Sequence, residues 1–244
     1  MSERRPAGRA AGELRPVNID PGFMRTATGS ALIECGGTRV ICSAAIEEGV
    51  PRWRAGSGKG WLTAEYGMLP ASTGERKTRD ATRGRLDGRT VEIQRLIGRS
   101  LRGVVDFQAL GERTIWIDCD VLEADGGTRC ASITGGYVAL ALGCARLISD
   151  GALERSPLTH TIAADDPAGD GGEPLLDLDY PEDSGAEVDA NVVMTGDGGL
   201  LEVQATAEGT PLARTHLDDL LALAAHGIAG LRAAQDLAIE AGAP

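Results

Sequence analysis

The chain is expected to fold as a single α/β domain, with helices packed on mixed sheets. Three observations lead there. Strand-like and helix-like runs succeed one another along its 244 residues, an order that builds layers of sheet and helix around one core. Hydrophobic residues make up 42% of the composition, enough to fill such a core. No obvious linker interrupts the pattern, so the expected organisation is a flexible arginine-rich tail, residues 1–14, followed by one domain, residues 15–244.

Taken in order, Thr28 to Glu34 and Arg39 to Ala45 flank Gly36-Gly37, which predicts two antiparallel strands and a hairpin turn. Glu47 to Asp87 mixes Gly, Pro, Ser, Thr and charge, and predicts a long exposed connection. From Thr90 to Asp106, Val91, Ile93, Leu96, Ile97, Leu101 and Val104 recur near helical spacing, with Glu92, Arg95, Arg99 and Arg102 on other faces: an amphipathic helix. Thr114 to Leu122 places Ile115, Ile117, Cys119 and Val121 on one face and Trp116 on the other, as a central strand does. Ala131 to Ser149 is apolar nearly all round and predicts a buried helix beginning at Thr128-Arg129. Asp165 to Gly172 reads as a polar break. Leu175 to Tyr180, Ala190 to Met194 and Leu200 to Ala205 read as strands, the last two joined by Asp197-Gly198-Gly199. Leu217 to Ala241 closes the chain as a helix behind Thr215, its expected N-cap.

Composition narrows the function. No run reads as the roughly 20 apolar residues that cross a bilayer, and Met1 to Arg15 carries arginines with no apolar segment behind them, so a cytoplasmic chain without membrane contact is expected. Five cysteines without a Cys-x-x-Cys pair are expected as buried free thiols. His160, His216 and His226 are scattered, which weighs against a zinc site or a histidine base. The net charge of −12 is unevenly spread: residues 52–113 hold thirteen Lys/Arg against seven Asp/Glu, the remainder eleven against twenty-nine. That basic island suits a polyanion, the alternative being arginines that merely solvate a loop and a helix.

The most informative motif is Asp125-Gly126-Gly127-Thr128-Arg129, at the junction of a predicted strand and a predicted helix. Helix-start N–H groups lack intrahelical partners, glycines admit a ligand to the backbone, and a guanidinium forks onto two phosphate oxygens. A plain strand-to-helix turn is the alternative. Arg89, ahead of the amphipathic helix, faces the same pocket if the two helices start side by side. Downstream, Asp177, Asp179, Glu182, Asp183, Glu187 and Asp189 span a predicted strand, turn and strand, where converging carboxylates with no histidine suit Mg²⁺ or Mn²⁺. Asp118 and Asp120 share one strand face and read as structural. Gly56-Ser57-Gly58-Lys59-Gly60 fails as a P-loop, since Trp53 and Gly60 stand where that motif needs glycine and Ser/Thr. Arg76, Arg79, Arg83 and Arg85 suit a loop that tracks phosphates, and Trp53, Trp61 and Tyr66 are candidates for base stacking or core packing.

These residues resemble the bacterial ribonuclease PH family, phosphate-dependent 3′ exoribonucleases also described as tRNA nucleotidyltransferases. The likeness is carried by Arg5-Pro6-Ala7-Gly8-Arg9, Ile46 through Pro51, Thr63 through Pro70, Glu92 through Ile97, Asp118 through Arg129, Asn191 through Thr195 and Thr206 through Gly209, spanning most of the chain. The resemblance implies a ribonuclease PH-type domain, inorganic phosphate held by Arg89, Gly127, Thr128 and Arg129, and catalytic Asp183 and Asp189 holding Mg²⁺ or Mn²⁺. It implies RNA contacts at Arg76 and Arg79 and a homohexameric ring, a trimer of dimers. The implied substrates are tRNA precursors and other RNA 3′ ends, rRNA included, with nucleoside diphosphates released and the reverse reaction adding nucleotides. A non-catalytic RNA-binding ring subunit is the alternative. Two departures stand out: Ala71 replaces an arginine common after Pro70, and Asp165 to Gly172 replaces a hydrophobic segment.

Overall fold

In the computed structural model, which describes residues 5, 8–169, 174–207, 209 and 211–244, the first half of the chain builds a five-stranded sheet. β1 (Val17–Pro21), β2 (Gly29–Cys35) and β3 (Thr38–Glu48) run antiparallel, and Cys35 pairs with Thr38 across the predicted hairpin. β4 (Trp61–Met68), α1 (Asp80–Arg83), α2 (Gly88–Arg102) and α3 (Phe107–Leu110) follow. β5 (Arg113–Glu123) then inserts between β3 and β4, antiparallel to the first and parallel to the second. As expected of a central strand, Ile115, Ile117, Cys119 and Val121 are buried on one face while Trp116 is exposed on the other.

α4 (Thr128–Ser149) is the axis of the molecule. Every residue from Cys130 to Cys144 is buried, because the helix packs against β2 and β3 on one side and against a second sheet, through β6 (Ile162–Asp165), on the other. It is long and apolar enough to cross a bilayer by length and composition, but those same apolar faces are consumed by the two sheets. After β6 come β7 (Ala168–Gly169), β8 (Pro174–Leu175), α5 (Tyr180–Gly185), β9 (Val188–Thr195), β10 (Leu200–Ala207) and α6 (Arg214–Gly242). β9 is central, with β10 along one edge and β6 and β7 along the other. Gln235 on α6 donates to the carbonyls of Thr134 and Ile162, 2.9 Å each, binding the last helix to α4 and to the second sheet. All five cysteines are buried and free.

The structure corrects several expectations. Glu47 to Asp87 is interrupted by β4, which buries Leu62, Ala64 and Tyr66 at a period of two; full pairing along β5 outweighs the glycine and proline around it. β1 was not foreseen. Asp165 closes a strand instead of opening a break, and Ala168 and Gly169 pair with β9; residues 170–172 lie outside the described residues. The middle of the acidic run is a short helix rather than a turn, with Asp179 and Glu182 forming a reciprocal capping box and Pro181 in its first turn; Asp189 lies on strand β9 as expected, and of the strand expected over Leu175 to Tyr180 only Leu175 lies in a strand, β8. Ala213, not Thr215, caps α6. Arg5 and Arg9, expected in a flexible tail, are buried against the acidic segment.

Candidate active site

The turn from β5 into α4 is built by its glycines. Gly126 and Gly127 have φ of +75° and +64°, the left-handed region that an L side chain disfavours. A Cβ on Gly126 would also be driven into the Leu178 carbonyl oxygen. Thr38 fixes the turn from β3, donating through Oγ1 to Gly126 O at 2.6 Å and accepting from Asp125 N at 2.8 Å. Thr128 then starts the helix, its Oγ1 accepting from the buried Tyr66 hydroxyl at 3.0 Å. Tyr66 is therefore part of the support of the pocket and not a stacking surface. Arg129 comes next, its side chain 15% exposed and 4.0 Å from Glu92.

Opposite this turn stands α5. Asp183, three residues after the exposed Tyr180 that opens this helix, is half-buried, and Asp189 lies near the start of β9. Burial, and then the charge of Asp189, push the Asp183 carboxyl above its ordinary range, while Arg89, Arg129 and Arg15 pull it back down. The two arginines and two aspartates singled out from the sequence thus lie within one electrostatic neighbourhood, at the start of α4. Arg89 is exposed in the first turn of α2, beside a cleft of about 500 Å³ lined by Arg83, Arg85, Leu86, Asp87 and Gly88.

Other candidates fall elsewhere. Arg79 precedes α1 and Arg76 lies on the same exposed connection. Asp120 feels the Arg79 charge, though burial raises its carboxyl. Asp118 is raised by burial and then by Glu65 and Asp120; with Trp116, this acidic row occupies the face of β5 turned away from α4. Trp53 is exposed and meets Trp61 edge-on, with Arg54 over both rings. Among the described residues no group of three or more His, Cys, Asp and Glu side chains is arranged to hold a metal ion.

Beneath the turn lies a polar layer that sequence reasoning missed. Arg15 and Asp177 are 5% and 6% exposed. Arg15 donates from its backbone N and from Nε and Nη2 to the Asp177 carboxylate, and from Nη1 to Asp125 O. Burial works against the Arg15 charge, yet the Asp177 carboxylate holds the guanidinium protonated. Asp165 and Asp166 share this layer. Burial and the Asp177 charge push Asp165 up to about 7, and burial followed by Asp165 pushes Asp166 up as well. Arginines without periodicity, paired with residues far along the chain, leave no local signature from which these contacts could be read.

Fold and site together define an α/β protein in which a glycine-rich strand-to-helix turn, followed by Arg129, stands against the carboxyl of Asp183. Residues 13–144 match domain 1 of the 3′ exoribonuclease family and residues 168–227 match its domain 2; the chain belongs to this family, RNase PH. It is 54% identical over 233 residues to ribonuclease PH of Neisseria meningitidis, covering 96% of each chain. It is 56% identical over 240 residues to ribonuclease PH of Crocosphaera subtropica, covering 98% of this chain and 99% of that one. Solved structures share the fold: rice Rrp46, with TM-score 0.79 at 15% identity, covering 96% of this chain and 100% of that one. An Archaeoglobus fulgidus exosome with RNA bound to the active site gives TM-score 0.81 at 22% identity, covering 94% and 92%.

Proposed function

We propose that the chain is a phosphate-dependent 3′→5′ exoribonuclease that trims tRNA precursors, and rRNA, one nucleotide at a time. The observation that carries this reading is the gathering of Arg89, Arg129, Asp183 and Asp189 at the glycine-lined start of α4. Gly127, Thr128 and Arg129 offer backbone N–H groups and a guanidinium to inorganic phosphate, with Arg89 closing the other side. Phosphate held there is oriented for attack on the terminal phosphodiester. The new P–O bond forms as the bond to the 3′ oxygen breaks, a nucleoside diphosphate leaves, and the shortened RNA regains its 3′ hydroxyl. A phosphoanhydride in the diphosphate replaces the phosphodiester at nearly equal free energy, so the reverse reaction, which adds nucleotides, also runs.

Asp183, whose carboxyl burial and the Asp189 charge raise, is assigned the exchange of the proton that the departing 3′ oxygen requires. Two carboxylates without a third protein ligand fit a hard divalent ion that takes its remaining ligands from water and substrate phosphates. Asp183 and Asp189 would hold Mg²⁺ or Mn²⁺, which when bound stabilises negative charge on the leaving oxygen. Arg76 and Arg79, on the exposed connection, are assigned to the RNA backbone, and Ala71 leaves one contact fewer there. The working unit is assigned as a homohexameric ring, a trimer of dimers, acting on cytoplasmic RNA.

The test is incubation with a 3′-extended tRNA and Mg²⁺, with and without phosphate. Nucleoside diphosphates released only with phosphate are expected. Monophosphates released without phosphate would make the protein a hydrolytic nuclease, and RNA binding without shortening would make it a ring scaffold; either result overturns the proposal.

A further inference from the structure

Arg5, Arg9 and Arg15 all stand ahead of β1, yet their side chains are 3%, 9% and 5% exposed. Burying three guanidinium groups is costly unless each is closely bonded, so where the bonds go is informative. They converge on one short segment. Arg5 donates to both carboxylate oxygens of Glu182, to Leu176 O at 2.7 Å and to Asp177 O at 3.1 Å. Arg9 donates to Asp177 O at 2.9 Å and to Glu182 at 3.1 Å. Arg15 takes the Asp177 carboxylate and reaches Asp125 O. Asp177 is the one non-glycine residue with positive φ, +50°, among the described residues, and it is held there from three directions.

The segment so gripped leads directly into α5. This helix has six residues, none of them buried, too short to be stable by itself. Its Glu182 is the neighbour of Asp183. We propose that Arg5, Arg9 and Arg15 are positioning residues: the N-terminal segment sets the placement of Asp183 relative to the phosphate turn. This rests on the phosphorolytic reading of the site. Arg5 and Arg9 hold only the carboxylate side, through Glu182 and the carbonyls before α5. Arg15 bridges both sides, since its Nη2 would lie 3.0 Å from a Cβ on Gly127 while its Nε and Nη2 hold Asp177. Loosening Arg5 and Arg9 therefore slows turnover and leaves phosphate binding at Arg89, Arg129 and Gly127 intact. Loosening Arg15 disturbs both.

The experiment compares the full chain with R5A/R9A and with the milder Glu182→Gln, which keeps the side-chain shape and one acceptor oxygen. Phosphate is varied with a 3′-extended tRNA, and hydrogen–deuterium exchange is followed in parallel. R5A/R9A is expected to lower kcat at least tenfold with KM for phosphate within twofold, and Glu182→Gln to lower kcat by a smaller factor. Amides of 178–186 should exchange at least tenfold faster in R5A/R9A, with those of 128–149 unchanged. A kcat within twofold of the parent overturns the proposal, as does faster exchange spread evenly over the molecule with kcat and KM shifting together. A parent that releases no diphosphate sinks the phosphorolytic reading instead; exchange at 178–186 then decides the clamp alone, and unchanged exchange there overturns it.

Discussion

The backbone N–H of Tyr180 donates to the Asp125 carboxylate at 3.2 Å, so the first residue of α5 is tied to the turn that opens α4. The glycine turn and the helix that carries Asp183 are thereby in direct contact.

Replacing Arg89 or Arg129 by alanine should weaken phosphate binding by about 1.5–3 kcal/mol, the usual worth of a charged hydrogen bond, or roughly 10- to 150-fold in apparent affinity. Phosphate titration of the exonuclease rate measures it. Equal affinity in both variants and the parent would remove the two guanidinium groups from the anion site.

Asp189→Asn should raise the Mg²⁺ concentration needed for half-maximal rate. It should also change the pH profile. The charge of Asp189 helps hold the Asp183 carboxyl up, so its removal lets Asp183 titrate lower, and the limb of the profile that reports Asp183 moves to lower pH. An unchanged limb and an unchanged Mg²⁺ titration would together dismiss the pairing of these two carboxyls.

Gly126→Ala combines a left-handed backbone with a Cβ driven onto Leu178 O. The backbone term alone costs about 1–3 kcal/mol, and the clash adds to it. Urea unfolding should show the loss, with a larger effect than alanine at Gly74 or Gly185, where no atom lies within 4 Å of the added Cβ.

Asp165 carries a pH signature. Its carboxyl is pushed up to about 7 in the folded protein by burial and by Asp177, with Asp166 also in its neighbourhood and Arg15 opposing, against about 3.9 in an unfolded chain. Between those values the folded state binds more protons than the unfolded one, so stability falls as pH rises from about 4 to 7. Asp165→Asn removes this dependence: its Tm should match or trail the parent near pH 4 and exceed it near pH 7.5. A Tm difference that stays constant across that window would show that Asp165 is ionised in the folded state.

Those parts of the fold with local causes were legible. Helical spacing in Ile93, Leu96, Ile97 and Leu101 predicted α2, the apolar run predicted α4, and alternation around Ile115 to Val121 predicted a central strand. β4 escaped because its period-two pattern is short and set among glycines, and its stability comes from β5, which lies far along the chain. α5 escaped because Leu175 to Tyr180 has strand-like alternation while its Asp179–Glu182 capping box is a four-residue signal inside an acidic run. In the site, the Gly127-Thr128-Arg129 turn announced itself by chemistry that is contiguous in sequence. The Arg15–Asp177 pair, separated by 162 positions, did not, since an isolated arginine and an isolated aspartate look like surface charge until the fold joins them.

The burial of α4 on two flanks has a further consequence for how the protein comes apart. A shared wall cannot be removed from one room and left standing in the other: losing either sheet bares water-averse surface on the same helix and undermines the remaining sheet. Calorimetry should therefore record one endotherm, and gene fragments cut between α4 and β6 should yield insoluble halves that regain structure only when mixed.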